Sequence, residues 1–409
     1  MRILIAACTR EVAGGAEKYL RVLIPEMLRR GHEVALLYEH DSLSASSSVD
    51  AGSGAPVWLW DQLREQRDWQ GLSEWSPEVV YSQGLESADH ENALLDRYPV
   101  VWYAHVYLGT CTTGRKCHAF PRLEPCDRSF GPMCLLMHYP RRCGGLNPLR
   151  TWRMYQRQQN QHARLMDYRA ILVASAHMFR ELQRNGVSAE RLHHVALPPT
   201  DSSPLPSPPA PRIPGGKILA VSRLTDLKGI DHLIRAIPSA AARLGRDLTL
   251  TIAGDGPDRA RLEELARRLQ IKAEFAGWVG SSRRTELMLA ADLLAVPSLW
   301  PEPFGLVGIE AGCVGLPAAG YAVGGIPDWL ITGRTGELAD ANPPTVEGLA
   351  DAIVRALRDP DYYARLCRGA WEMAKSFTLE AHAAALEGIL AANSAIEPSA
   401  ISSSLPGVR

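Results

Sequence analysis

Short apolar runs alternate with amphipathic stretches along most of this chain. In the first half the runs fall at Arg2–Ala7, Glu33–Tyr38, Val79–Ser82, Val100–His105 and Ala170–Ala174. Each is rich in Val, Ile, Leu or Ala rather than strictly alternating, the pattern of strands covered on both faces. The alternation restarts at Lys217 and continues to about Leu338, which predicts two doubly wound parallel sheets in an α/β chain. Pro198–Pro211 joins them; it is too rich in proline for a helix or a central strand and is expected to stay extended. Thr345–Leu357, Asp361–Ser376 and Leu379–Ala392 read as helices, and the Ser-, Pro- and Gly-bearing tail after Asn393 reads as disordered. The resulting division is 1–197, a proline-rich linker 198–212, 213–376, a final helix 377–395 and a tail 396–409.

Length and composition agree with this division. A chain of 409 residues exceeds one ordinary core. Lys plus Arg number 44 against 45 Asp plus Glu, so overall charge does not suggest a nucleic-acid partner. No apolar run approaches the roughly 18 residues of a membrane span. The opening Met1–Cys8 has the look of a lipoprotein signal, but its apolar stretch is short and reads better as a first strand leading to Gly14-Gly15. A cytoplasmic location is expected.

The chemistry concentrates where strands end. Glu302 and Glu310 lie in a Pro- and Gly-rich turn between a strand ending at Val296 and a helix read over Leu306–Val314. Lone glutamates at this spacing would be an exposed loop residue and an ordinary helix residue, but three more loops share the layout. Ile218–Val221 runs into Arg223 and Lys228, two cations at a strand end and helix start that suit a diphosphate. Leu248–Ala253 runs into Gly254-Asp255-Gly256, which is neither Gly-x-Gly-x-x-Gly nor a Walker loop. Gly324-Gly325-Ile-Pro-Asp328 is the last.

Together, Ser-Arg-Leu with Lys228-Gly229, Ala-Gly-Asp-Gly-Pro, the two glutamates within Glu-Pro-Phe304-Gly305, and Gly-Gly-Ile-Pro resemble the donor half of the family 4 retaining glycosyltransferases, which have the GT-B fold. The resemblance is strong over about 217–340. Gly14-Gly15-Ala-Glu17 and His105 extend it more weakly into the first half. Asp328, where many members carry glutamate, is given no role. The resemblance implies a cleft between two Rossmann-like domains, with the last helix crossing back to the first. It implies Glu310 on the nucleoside ribose, Glu302 on the sugar hydroxyls, and donor contacts from Gly14, Gly15, Arg223, Lys228, Gly254, Gly256, Phe304 and Gly305. It also implies retention of the anomeric configuration. Arg223, Lys228, Glu302 and His105 are the candidate catalytic residues, His105 either as a partner of a sugar hydroxyl or as a structural histidine. Gly14 and Gly15 have a plainer reading, a tight turn alone. No Asp-x-Asp motif accompanies these loops, so transfer without a catalytic metal or other cofactor is expected.

After His105 the pattern breaks down. Cys111, Cys117, Cys126, Cys134 and Cys143, with His118 and His138 among them, fall in a Pro- and Gly-rich insertion, 106–146, that is expected to overhang the acceptor side of the cleft. A structural zinc would explain how such a segment stays ordered, although no Cys-x2-Cys pair is present. Disulfides are the second reading, and they fit a cytoplasmic enzyme poorly. Unliganded cysteines are the third. Seven arginines but only Asp167 among the acids lie from Arg141 to Arg169. If Pro148–Tyr168 is helical, Arg150, Arg153, Arg157 and Arg164 share a side, either as a solvated face or toward an anionic partner.

The reading is therefore a metal-independent, retaining glycosyltransferase moving a sugar from a UDP-, GDP- or ADP-sugar to a glycan or lipid-linked acceptor. Peripheral contact with the inner face of a membrane fits the arginines. The alternatives are a GT-B nucleotide-sugar epimerase and a non-catalytic sugar-nucleotide binder.

Overall fold

A computed structural model describes residues 1–11, 14–40, 48–49, 52, 54–63, 66–201, 203–210 and 213–394. Strands β1 (Arg2–Thr9), β2 (Glu33–His40), β3 (Val57–Leu59), β4 (Val79–Ser82) and β5 (Val100–Tyr103) are followed by a small antiparallel pair, β6 (Cys117–His118) and β7 (Glu124–Pro125). Then come β8 (Ala170–Val173) and β9 (Leu192–His194). Apart from the β6–β7 pair these form one parallel sheet ordered β3-β2-β1-β4-β5-β8-β9. The second sheet uses β10 (Lys217–Val221), β11 (Thr249–Ala253), β12 (Ala273–Gly277), β13 (Leu293–Val296), β14 (Ala318–Tyr321) and β15 (Gly336–Ala339). It too is parallel, ordered β12-β11-β10-β13-β14-β15. The direction of winding reverses between β1 and β4 and between β10 and β13. Ligand crevices open at the carboxyl ends beside such switch points.

The central strands are apolar because helices cover both faces. Ile3, Leu4, Ile5 and Ala6 alternate between two separate core clusters, one on each side of the first sheet. The edge strands β3 and β9 were not predicted. They are three residues long, and β9 carries His193 and His194, so neither has an apolar run to announce it. β5 stops at Tyr103 rather than His105. Ala104 still donates to Leu172 across the sheet, but the His105 amide turns back to Tyr103 O at 3.0 Å and the chain leaves the ladder.

The linker side chain of Pro209 lies against Gly315, and Leu205 pairs with Cys313 O at 2.9 Å, so the described part of this segment lies along the second domain in extended form. The closing helix Leu379–Ala392 packs on the helix Gly15–Arg29 of the first domain. Ala383, Leu386 and Leu390 bury its apolar side. Arg30 and His32 reach its Glu387 at 3.0 and 3.2 Å. Residues 395–409, including the tail read as disordered, lie outside the described residues. No helix among the described residues is long and apolar enough to cross a membrane.

Candidate active site

Four loops build the floor of the cleft, and glycines set how closely they stack. A Cβ on Gly254, whose φ is +140°, would fall 1.9 Å from Ser222 O, and one on Gly256 2.3 Å from Leu224 O. The Gly-Asp-Gly turn therefore presses directly on the loop that leads to Arg223, and Leu224 N–H donates to Asp255 O at 2.9 Å. At Gly324, φ +57°, a Cβ would meet the Glu302 backbone at 2.3 Å, while Gly325 N–H donates to Glu302 O at 2.7 Å. Two of the four motifs thus act first through backbone fit: neither Gly254 nor Gly256 lines the cavity described below.

Lys228 ends the one-turn helix Asp226–Lys228, and its Nζ meets Glu302 Oε1 at 2.5 Å. Ser298 Oγ donates to the same carboxylate oxygen at 2.5 Å, and the Lys228 ammonium lies 4.9 Å from the Trp300 ring centre. Arg223 is exposed and joins no ion pair among the described residues. Glu310 sits inside the helix Leu306–Cys313 and is buried. Its Oε1 accepts from Thr200 at 3.2 Å and from Arg284 at 3.3 Å. Burial pushes the Glu310 carboxyl above its usual range, against the pull of Arg284. Arg284 also pairs with Asp201, which Lys18 reaches at 3.0 Å. Burial alone would raise Asp201, but Lys18 and Arg284 hold it below the usual range.

His105 stands opposite. Its Nε2 lies 2.9 Å from Gln83 Oε1; with that oxygen accepting, the ring proton is on Nε2 and Nδ1 is an acceptor. The ring stacks on Tyr103 at 4.6 Å. Burial, then repulsion from His382, pushes its pKa down to about 3. Behind it, His382 Nδ1 lies 2.8 Å from Ala196 O and must donate there, so Nε2 accepts from Tyr19 OH at 2.7 Å. Tyr81 OH completes the chain at 2.7 Å from Tyr19 OH. Gly14 N–H is taken by Glu17 Oε2 at 2.8 Å, closing the first helix on itself.

A cavity of about 480 Å³ brings the two sides together, lined by Gly14, Gly15, Glu17 and His105 from one domain and Lys228, Trp300, Glu302, Phe304 and Gly305 from the other. A deeper recess of about 200 Å³ continues past Ser222, Lys228, Ser298 and Glu302 to Leu306 and Val307 at the helix start. Arg223 and Glu310 line neither space.

Several residues were not singled out from the sequence. Tyr107 OH donates to Pro301 O, Ser175 Oγ to Pro303 O at 2.5 Å, and Asp328 Oδ2 accepts from Ala176 N–H at 2.7 Å. Together they clamp the Glu302 loop to the first domain. Asp328, given no role from sequence, thus spans the two domains. Asp201 had a signal: it is the single charged residue in the Pro198–Pro211 segment.

The five insertion cysteines line one cavity of about 40 Å³ together with His118, Arg128 and Arg141. His138 instead lies about 3 Å from Gly145 O and Thr151 Oγ1. The helix Pro148–Ala163 ends before Tyr168, because Arg164 and Leu165 turn back three residues and Arg164 pairs with Asp96 and Asp167. The arginine stripe is therefore divided. Arg150 and Arg153 are exposed, Arg157 lies 3.8 Å from Glu86, and Arg164 is paired.

Residues 212–373 match the sequence profile of the glycosyl transferases group 1. Glycogen synthase of Mycobacterium tuberculosis is 32% identical over 216 residues, covering 50% of this chain and 48% of that protein. The chain thus spans about half the length of that curated relative. Among solved structures, Anabaena HepE in complex with UDP and glucose superposes with a TM-score of 0.65 at 18% identity, over 96% of this chain and 100% of that one. Sucrose-phosphate synthase from Thermosynechococcus elongatus gives 0.70 at 19%, over 96% and 98%. These likenesses carry the two-domain fold across nearly the whole chain, while the sequence match lies in the second domain. Residues 212–373 are thus similar in sequence to the glycosyl transferases group 1.

Proposed function

We propose that the chain transfers a glycosyl group from a nucleotide-diphosphate sugar to a glycan or lipid-linked acceptor, with retention of anomeric configuration. The cavity that sets Lys228, Glu302 and Gly305 against His105 and Gly14 carries the reading. As the bond from the anomeric carbon to the diphosphate breaks, the leaving group takes the bonding pair and its negative charge grows. Lys228, Arg223 and the amides at the start of the helix Leu306–Cys313 oppose that charge, so they favour the transition state over the ground state. Their fixed positive charge is why no catalytic metal is needed. Donor binding draws Lys228 from Glu302 toward phosphate and frees the carboxylate for sugar hydroxyls. Glu310 uses only Oε1 with Thr200 and Arg284, leaving Oε2 for a ribose. Neutral His105 offers Nδ1 as an acceptor to a sugar hydroxyl.

The acceptor side favours an anionic lipid surface. Met133, Leu136, Leu146, Leu149 and Trp152 are exposed, between half and four-fifths accessible, and Arg150 and Arg153 lie among the last of them. Apolar side chains interleaved with unpaired cations are what peripheral binding to such a surface uses.

Purified protein incubated with UDP-, GDP- and ADP-sugars, with and without acceptor glycolipids, tests the reading. A new glycoside formed only with acceptor, carrying the donor's anomeric configuration by NMR and at a rate unchanged by added Mg²⁺, is expected. Interconversion of the donor alone would make it an epimerase, binding without turnover a scaffold. Equal sedimentation with anionic and neutral vesicles would remove the lipid surface.

A further inference from the structure

Residues 106–146 bury only Tyr107, Cys117 and Phe130 as apolar side chains, too little to fix the segment by apolar packing alone. Yet the segment is folded, with a two-residue ladder, the short helix Met133–His138 and five cysteines from separate turns facing one void. None of the five is in a disulfide. Cys111 Sγ accepts the Lys116 amide at 3.3 Å, the kind of N–H···S contact that supports a thiolate. Cys117 is buried and fixed in the β6–β7 ladder, whereas Cys111, Cys126, Cys134 and Cys143 are only partly buried. These four share the cavity wall, and Cys117 stands apart in its ladder. Arg128 and Arg141 bring positive charge to the same walls.

We propose that Cys111, Cys126, Cys134 and Cys143 bind a single zinc ion in this cavity. A cavity of about 40 Å³ has room for a single ion. Among the described residues no three Cys, His, Asp or Glu side chains already stand where one ion would be held. The thiols ring the void, and binding draws them inward to Zn–S bonds of about 2.3 Å. Each ligating thiol gives its proton to solvent as its Zn–S bond forms. The four thiolates and Zn²⁺ leave two negative charges, which Arg128 and Arg141 oppose. Cys117, which the sequence reading places among the ligands, is outside this set.

Metal content of the full chain, purified without chelator, tests this directly. About one zinc per chain is expected, with the four thiols protected from alkylation until zinc is removed. Cys126→Ser and Cys134→Ser are expected to lose most of the zinc, while Cys117→Ser and Cys313→Ser keep it. Should the serine variants fail to fold, zinc content and thiol protection of the unaltered protein still decide. Iron with acid-labile sulfide, disulfide-linked peptides, or metal-free protein with reactive thiols would each overturn the assignment. Zinc lost in Cys117→Ser but retained in Cys143→Ser would overturn the ligand set.

Discussion

Arg115 leaves the cysteine-rich insertion and meets Asp226 of the opposite domain at 2.7 Å, two residues before Lys228. The insertion, expected on the acceptor side of the cleft, touches the turn that presents Lys228. Both side chains are partly open to solvent, so the pair is worth at most about 1 kcal/mol. Arg115→Ala is expected to raise the donor KM by up to about fivefold, with the effect fading at high salt. An unchanged donor KM at low ionic strength would uncouple the insertion from the donor loop.

Lys228→Ala and Arg223→Ala are expected to lower kcat by about two to three decades at saturating donor, the usual loss when charge stabilisation of a leaving group is removed. Arg223 is exposed, so its variant should melt with the unaltered protein. Near-normal turnover in either variant, measured in single-turnover experiments, would release that residue from the diphosphate.

Lys116 and Glu181 form an ion pair at 2.5 Å that is almost wholly buried, and Lys116 Nζ also donates to Arg128 O. Burial pushes the Glu181 carboxyl up, and Lys116 works against that rise. Lys116→Met leaves the buried carboxylate with Arg184 at 2.8 Å as its remaining cation and is expected to cost up to about 3 kcal/mol. The double variant with Glu181→Leu should recover much of this. Denaturant midpoints giving a loss below about 1 kcal/mol for Lys116→Met would show the pair is solvated.

Burial pushes His105 down to about 3 and His382 and His177 down to about 4. All three remain neutral in the fold at pH values where the unfolded chain is protonated. Their contribution is therefore complete above pH 6.5 or so and declines as pH falls toward about 4. The urea midpoint is expected to drop through that window, and His382→Gln to shallow the slope while lowering stability at neutral pH. A slope equal in the variant and the parent would mean His382 is protonated in the folded protein.

Gly324→Ala puts a methyl group into the Glu302 backbone at a position whose φ is +57°. It is expected to destabilise by more than about 1 kcal/mol and to raise the donor KM, since the displaced loop carries Glu302. Calorimetry showing unaltered stability and donor affinity would mean the loop yields without cost.

The central strands and the Gly-rich loops were legible because parallel strands covered on both faces need apolar runs, and tight strand–helix turns need glycine and proline. Strands β3 and β9 were illegible: three residues at a sheet edge need no pattern. Within the site, Lys228 and Glu302 could be named from their loops but not their 2.5 Å pairing, which depends on two loops 74 residues apart. The partners of Glu310 were hidden because Arg284 lies in an unremarked helix and Asp201 in a linker read only as a spacer. Where the insertion cysteines converge was equally invisible, since no regular element spaces them.

The loop bearing Glu302 belongs to the second domain by sequence, yet its backbone is held by Tyr107, Ser175 and, through Asp328, the start of a first-domain helix. The halves are therefore not interchangeable parts. Grafting a foreign acceptor domain onto residues 213–376 would alter donor handling even if every donor-facing side chain were kept. A chimera that changes acceptor choice alone must carry Tyr107 and Ser175 across the junction and keep a helix start placed to meet Asp328.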